Sequence, residues 1–413
     1  MEFNHIPGGV CAAKGFRAAG VHCGVKSSSH GLPSTNLKND LAMILSDCDC
    51  AAAAVYTTNR VKAAPLYVTM DHLADGKCRG VIANSGNANA CCPGSRENAE
   101  QMCALAAAAT GLTVDDFAVA STGVIGQTIN IAAIESGVPG LVDSLNYDGS
   151  DAAAQAIMTT DTVKKELAIS FELEGKTVTM GAIAKGSGMI HPNMGTMLCF
   201  ITTDCSISTE LLSKALHTVV PRTFNRVTVD GDTSTNDTCL VLANGLAGNP
   251  CIEEAGENYD AFEAALSVLC TYLARAIASD GEGASRLITC TVAGATNETT
   301  AEGLAKAVVG SSLVKAAMFG ADANWGRVLC AMGYSGEVFD PEGVDVAFRS
   351  EAGEVAVCKL GRALDFDEEL AARVLKCSEV IIDIALREGD GEATCWGCDL
   401  TYEYVKINGD YRS

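Results

Sequence analysis

Along this chain the hydrophobic period switches repeatedly between about two and about 3.6 residues, which allows strands and helices to alternate in layers and little else. Ile169, Phe171 and Leu173 alternate with polar neighbours, Glu174-Gly175 turns, and Val178 and Met180 resume the pattern, so a hairpin is expected from Ala168 to Thr179. Phe262, Leu266, Leu269 and Leu273 recur at three- and four-residue steps, predicting a helix from Tyr259 to Ser279 that ends near Asp280-Gly281. An uninterrupted Ala-rich segment predicts a helix over 95–110, and another is read from Thr299 to Val309. Met197–Ile201, Arg286–Ala295, Val344–Phe348 and Val380–Leu386 read as strands. The expected class is α/β (α+β). No repeat with a period of about 20–50 residues argues for a solenoid.

The charge balance narrows the partners. Lys and Arg number 29 against 51 Asp and Glu, a net charge of −22. A nucleic-acid or anionic-membrane partner requires a basic footprint, so neither is expected. The first residues lack the basic and apolar regions of a signal peptide, and a cytoplasmic location is expected. The 19 cysteines are spread through the chain, many in apolar runs where Cys packs as a small hydrophobe, and the reading is free thiols. The one C-x-x-C, Cys395-Trp396-Gly397-Cys398, has no second ligand pair nearby; packing is preferred there over a metal or redox role. A Walker A loop, an H-E-x-x-H and a G-x-S-x-G elbow are all missing from the sequence.

One stretch stands out as chemistry. Ala184-Lys185-Gly186-Ser187-Gly188-Met189-Ile190-His191-Pro192-Asn193-Met194-Gly195-Thr196 is a glycine-rich loop that runs straight into the apolar segment Met197-Leu198-Cys199-Phe200. A threonine hydroxyl is a poor nucleophile without a base. Its own α-amino group can serve, but only after the preceding peptide bond is cut. That amine titrates near pH 8, close to working pH. Taken alone, Gly-Thr at a strand start is more often a turn.

This stretch resembles the signature of the glutamate N-acetyltransferase (ornithine acetyltransferase) family of arginine biosynthesis. Further family motifs follow in order: Asn84 to Ala90, Ser121-Thr122-Gly123-Val124-Ile125-Gly126, Ile157 to Thr162, Asp230 to Thr238, Phe319 to Arg327, and the tail from Trp396 to Ser413. The resemblance implies a layered αββα-type sandwich. It implies self-cleavage between Gly195 and Thr196 into an α chain, 1–195, and a β chain, 196–413, assembled as a heterotetramer of two α and two β chains. It implies a ping-pong transfer of acetyl from N²-acetylornithine to glutamate through Thr196, without a cofactor and with acetyl-CoA as a candidate co-substrate. Thr122 and Gly123 are implied as the oxyanion hole. Thr159, Lys185, Thr196, Glu282, Asn408 and Ser413 are implied as substrate contacts.

Two departures are visible. Gly195 stands where the family usually has Ala, so cleavage is expected to be equally fast or slower, and Ser413 replaces a terminal Thr. Two other classes compete: a self-cleaving N-terminal-nucleophile hydrolase or aminopeptidase of related fold, and a non-catalytic storage protein. The hydrolases typically use Ser at the nucleophile and lack the Lys185 loop.

Overall fold

The structure is a computed structural model and describes residues 2–30, 38–191 and 197–410. Its larger sheet is built from β1 (Asn4–Ile6), β2 (Phe16–Val21), β3 (Leu41–Tyr56), β4 (Lys77–Asn87), β5 (Phe117–Val124), β6 (Lys165–Leu173), β7 (Lys176–Lys185), β8 (Leu198–Thr203) and, after β9 (Val227–Thr228) of the smaller sheet, β10 (Thr238–Ala243). The order is β1-β6-β7-β8-β10-β3-β4-β5, with β2 also paired to β3.

The long strand β3 explains the layering. It pairs with β4 through Leu41–Leu45 and with β10 through Ala51–Tyr56, and the β4 register breaks between Leu45 and Cys50. The sheet therefore has two leaves that share one strand. Residues Ala42, Ile44, Cys50 and Ala52 face a middle core. There Val81, Ala83, Ala118 and Ala120 of one leaf meet Leu198, Phe200, Leu240 and Leu242 of the other. On the opposite face, Leu41, Met43 and Leu45 pack with the helices Ser95–Thr110 and Ile131–Asp143. Ala53 and Val55 pack with the helices Thr209–Arg222 and Glu257–Ser279. Helix, sheet, sheet, helix is the expected αββα layering, produced by the two-residue alternation of a strand.

The smaller sheet adds β11 (Leu287–Ala295), β12 (Asp345–Ser350), β13 (Gly353–Lys359), β14 (Arg362–Ala363), β15 (Glu379–Ala385) and β16 (Gly391–Cys398), in the order β14-β13-β12-β15-β11-β16-β9. Ile288, Cys290, Val292, Val380, Ile382 and Ile384 form its covered face, against the helix Glu298–Gly310.

The predicted hairpin is β6–β7, with Glu174 and Gly175 both at positive φ (48° and 73°), the turn that matches strand twist. The predicted Tyr259–Ser279 helix begins slightly earlier, at Glu257. By length and composition it could cross a membrane, but Phe262, Leu266, Leu269 and Leu273 are all buried in the protein core. Each such side chain contributes roughly 1.5–3 kcal/mol, which fixes the helix against β6 and β7. Cys395 and Cys398 lie three residues apart on β16, so the pleat sends them to opposite faces: Cys395 into the core of the smaller sheet and Cys398 into the core under Glu257–Ser279. They cannot share an ion, in keeping with the packing reading.

Candidate active site

The loop from β7 to β8 leaves and re-enters the sheet at one place, because Lys185 pairs with Leu198. Both ends are held by buried carboxylates. Asp161 Oδ1 accepts from Gly186 N at 2.7 Å, and Asp237 Oδ1 accepts from Met197 N at 2.7 Å. Asp230 accepts from Met189 N and Ile190 N at 2.6 and 2.9 Å. Glu282 N donates to Ser187 O at 3.0 Å. Gly188 is glycine for a spatial reason: a Cβ there would lie 2.3 Å from the Glu282 carboxyl carbon.

The second wall is the end of the parallel pair β4–β5, where Ser121-Thr122-Gly123 runs beside Asn84-Ser85-Gly86. Gly123 has φ 133°, and a Cβ on it would come within 2.3 Å of Gly86 C, so no other residue fits this approach. Asn236 fastens this wall. Its Nδ2 donates to Ala88 O at 2.7 Å and to Ser121 O at 2.8 Å. Thr57 Oγ1 donates to Ser234 O at 2.8 Å, anchoring the loop that carries Asn236 to the end of β3.

Between the walls lies a cavity of about 120 Å³ lined by Thr122, Gly123, Thr159, Lys185, Glu282 and Asn408. Six of the predicted site residues, drawn from five regions of the sequence, thus share one space. Gly195, Thr196 and Ser413 lie outside the described residues. Lys185 is buried with Nζ 3.4 Å from Thr122 Oγ1. Burial lowers the pKa of its ammonium, and Asp161, Asp237 and Glu282 oppose that shift. Asn408, on the helix Tyr402–Asp410, donates from Nδ2 to Glu282 Oε2 at 2.7 Å. The helix at the end of the described residues thus lies against the cavity.

Sequence reasoning missed the support beneath this cavity. Lys165 is buried between two carboxylates, with Nζ 2.7 Å from Asp161 Oδ1 and 2.6 Å from Asp280 Oδ2. Asp161 Oδ2 also accepts from Thr159 N at 3.0 Å, and Asp280 O accepts from Ser187 Oγ at 2.7 Å. One ion triad therefore ties together the segments carrying Thr159, Lys185 and Glu282. Burial alone would raise the Asp161 pKa, but Lys185 and Lys165, with bonds from Lys165 Nζ and Gly186 N, bring it down to about 2. Asp237, by contrast, is raised by burial, although Met197 N donates to it. The signal for Asp161 was its place in the Ile157–Thr162 motif. The signal at Asp280 was only its place at the end of the predicted Tyr259–Ser279 helix.

Known proteins resemble this chain along nearly its whole length. The model of the ArgJ family matches residues 17–413. The arginine biosynthesis bifunctional protein ArgJ of Symbiobacterium thermophilum is 51% identical over 410 residues, 99% of each chain. Its counterpart from Caldanaerobacter subterraneus subsp. tengcongensis is 47% identical over 410 residues, again 99% of each chain. Among solved structures, an ornithine acetyltransferase from Mycobacterium tuberculosis complexed with ornithine is 37% identical, with a TM-score of 0.41, covering 46% of this chain and 98% of that one. The family model spans nearly the whole sequence and the relatives are about half identical along it: the chain belongs to the ArgJ family.

Proposed function

We propose that this chain cleaves itself between Gly195 and Thr196 and uses the freed Thr196 to carry acetyl from N²-acetylornithine to glutamate. As an ArgJ-family member the chain is an acetyltransferase of arginine biosynthesis. The reading of its site rests on the convergence of Thr122, Gly123, Thr159, Lys185, Glu282 and Asn408 in one cavity. Lys185, Gly188 and Met189, at the start of the loop that contains Thr196, are among its walls.

The reaction follows from these groups. The Thr196 amine takes the hydroxyl proton and Oγ attacks the acetyl carbonyl of acetylornithine. The resulting oxyanion is met by Thr122, through its hydroxyl or N–H, and by the Gly123 N–H. The C–N bond breaks, and the Thr196 ammonium returns its proton to the departing ornithine nitrogen. Acetyl remains as an ester on Oγ. The amine of glutamate then attacks that ester, gives its proton to the Thr196 amine, and leaves as N-acetylglutamate while Oγ regains the proton. Splitting one amide-to-amide transfer into two steps is the gain from a covalent carrier. Lys185 binds a substrate carboxylate as a point charge. Glu282, oriented by Asn408, receives the ornithine ammonium.

The same reading includes chains 1–195 and 196–413 associated as two α and two β chains, a cytoplasmic location, no cofactor, and acetyl-CoA as a second acetyl donor. Its test is intact-mass spectrometry of protein mixed with acetylornithine. The expected result is two fragments, with an acetyl group on the first residue of the later one, and an uncut, inactive Thr196→Ala variant. Acetyl on a cysteine, or full activity in Thr196→Ala, refutes it. Ornithine release at the same rate with and without glutamate favours the hydrolase instead.

A further inference from the structure

Glutamate and ornithine pose opposite problems to a shared cavity. Each presents an α-amino nitrogen and an α-carboxylate. One side chain ends in an anion and the other in a cation. Lys185 supplies one cation for the carboxylate both have in common. Glu282 is 8% exposed, and a carboxylate so placed attracts the ornithine side chain and repels that of glutamate. A dicarboxylate acceptor therefore needs a second cation.

A second cavity, of about 340 Å³, adjoins the first, and Thr159 lines both. Lys26, Lys38, Lys164, Gln155 and Asp161 are among its walls. Two of these charges are already used. Lys164 is ion-paired with Asp151 and Glu166. Asp161 is engaged by Lys165 Nζ, Gly186 N and Thr159 N. Lys26 differs: among the described residues its ammonium donates to Asn39 O, at 2.7 Å, and to no carboxylate.

Lys26 is also held in place more firmly than a surface lysine. Its backbone N donates to the buried Asp40 Oδ2 at 3.0 Å. Its stem lies on Gly86, where a Cβ would meet Lys26 Cγ at 2.8 Å, and Gly86 in turn packs on Gly123. The lysine is thus registered to the oxyanion wall through two glycines. Burial brings its pKa down to about 8, against the opposing charges of Asp40 and Asp161.

We infer that Lys26, with Lys38 nearby, receives the side-chain carboxylate of glutamate, and so lets one catalytic cavity serve an anionic and a cationic amino acid in turn. The inference rests on the acetyl transfer proposed above, and two assays keep them apart. Exchange of labelled ornithine into acetylornithine, without glutamate, reports the first half-reaction alone. Full transfer to glutamate reports the second. In Lys26→Met, which keeps the aliphatic stem on Gly86, the KM for glutamate should rise about ten- to a hundredfold, the range for losing a bond to a charged group. The KM for acetylornithine in exchange should stay within about twofold, and Lys26→Arg should restore most of the glutamate affinity. Preference for glutamate over glutamine as acceptor should shrink in the Met variant.

An unchanged glutamate KM, or equal losses in both assays, overturns the assignment; equal losses would mean that Lys26 only props up the wall. Absence of exchange in the unmutated enzyme would sink the transfer reading itself, and this one with it.

Discussion

Replacing Lys165 by Met removes the cation between Asp161 and Asp280 while nearly preserving volume. Breaking a buried ion pair by removing one partner typically costs about 3–5 kcal/mol, because the remaining charge is left unpaired. The structure supplies a separate bound. An Asp161 pKa of about 2, against an ordinary 3.8, corresponds to roughly 2 kcal/mol of stability at neutral pH. Because the folded-state value is depressed, that stability is present above about pH 4 and is lost as the pH falls toward 2. Lys185 acts on the same carboxylate, so Lys165→Met removes only part of this contribution from Asp161. The rest of the cost falls on Asp280, which among the described residues is paired with no other lysine. We expect a loss of about 3 kcal/mol at pH 7 from urea titration. With Lys165 gone, Asp161 has less of this stability to lose, so the deficit should narrow as the pH falls from about 4 toward 2. Acetyl transfer should fall about a hundredfold in kcat, since Thr159 and Gly186 hang from Asp161. A deficit below about 1 kcal/mol, the level of a surface pair, would refute the reasoning. So would a deficit constant across that pH range.

Three further outcomes are expected. Asn236→Ala should leave Ala88 O and Ser121 O without their donor and lower kcat about a hundredfold, with little change in KM; steady-state kinetics and a melting curve check this. Gly123→Ala places a methyl 2.3 Å from Gly86 C at a φ of 133°, so strain of about 1–3 kcal/mol plus the clash should appear as a lower melting temperature and near-complete loss of transfer. Raising the pH from 7 to 9 takes Lys26, with a pKa of about 8 set by burial, Asp40, Lys38, Asp161 and Lys185, from charged to neutral; the KM for glutamate should rise while the ornithine exchange KM, measured in parallel, does not follow it.

The elements were largely legible because their signals are local. The hairpin turn at Glu174-Gly175 and the stripe of Phe262, Leu266, Leu269 and Leu273 both appear where periodicity put them. The grouping of Thr122, Thr159, Lys185, Glu282 and Asn408 came from resemblance, since nothing in their spacing says that five distant segments meet. What the supporting residues hold could not be read from local signals. Lys165 looks like any lysine at a strand start until Asp280, more than a hundred residues away, closes over it. Asn236 looks like a turn residue until two carbonyls from another strand pair come to its amide. Buried polar groups declare their partners only through tertiary contact.

The strand order has a consequence for any break at 195/196. β8 and β10, which follow that point in sequence, lie side by side between β7 and β3, which precede it. Each flank is a ladder of six paired residues. The later piece is inserted into the earlier one like a slat in a frame, so neither piece has the larger sheet complete, although the smaller sheet lies wholly in the later one. Cutting the backbone frees an amine without freeing a fragment, and the halves should come apart only under conditions that unfold both.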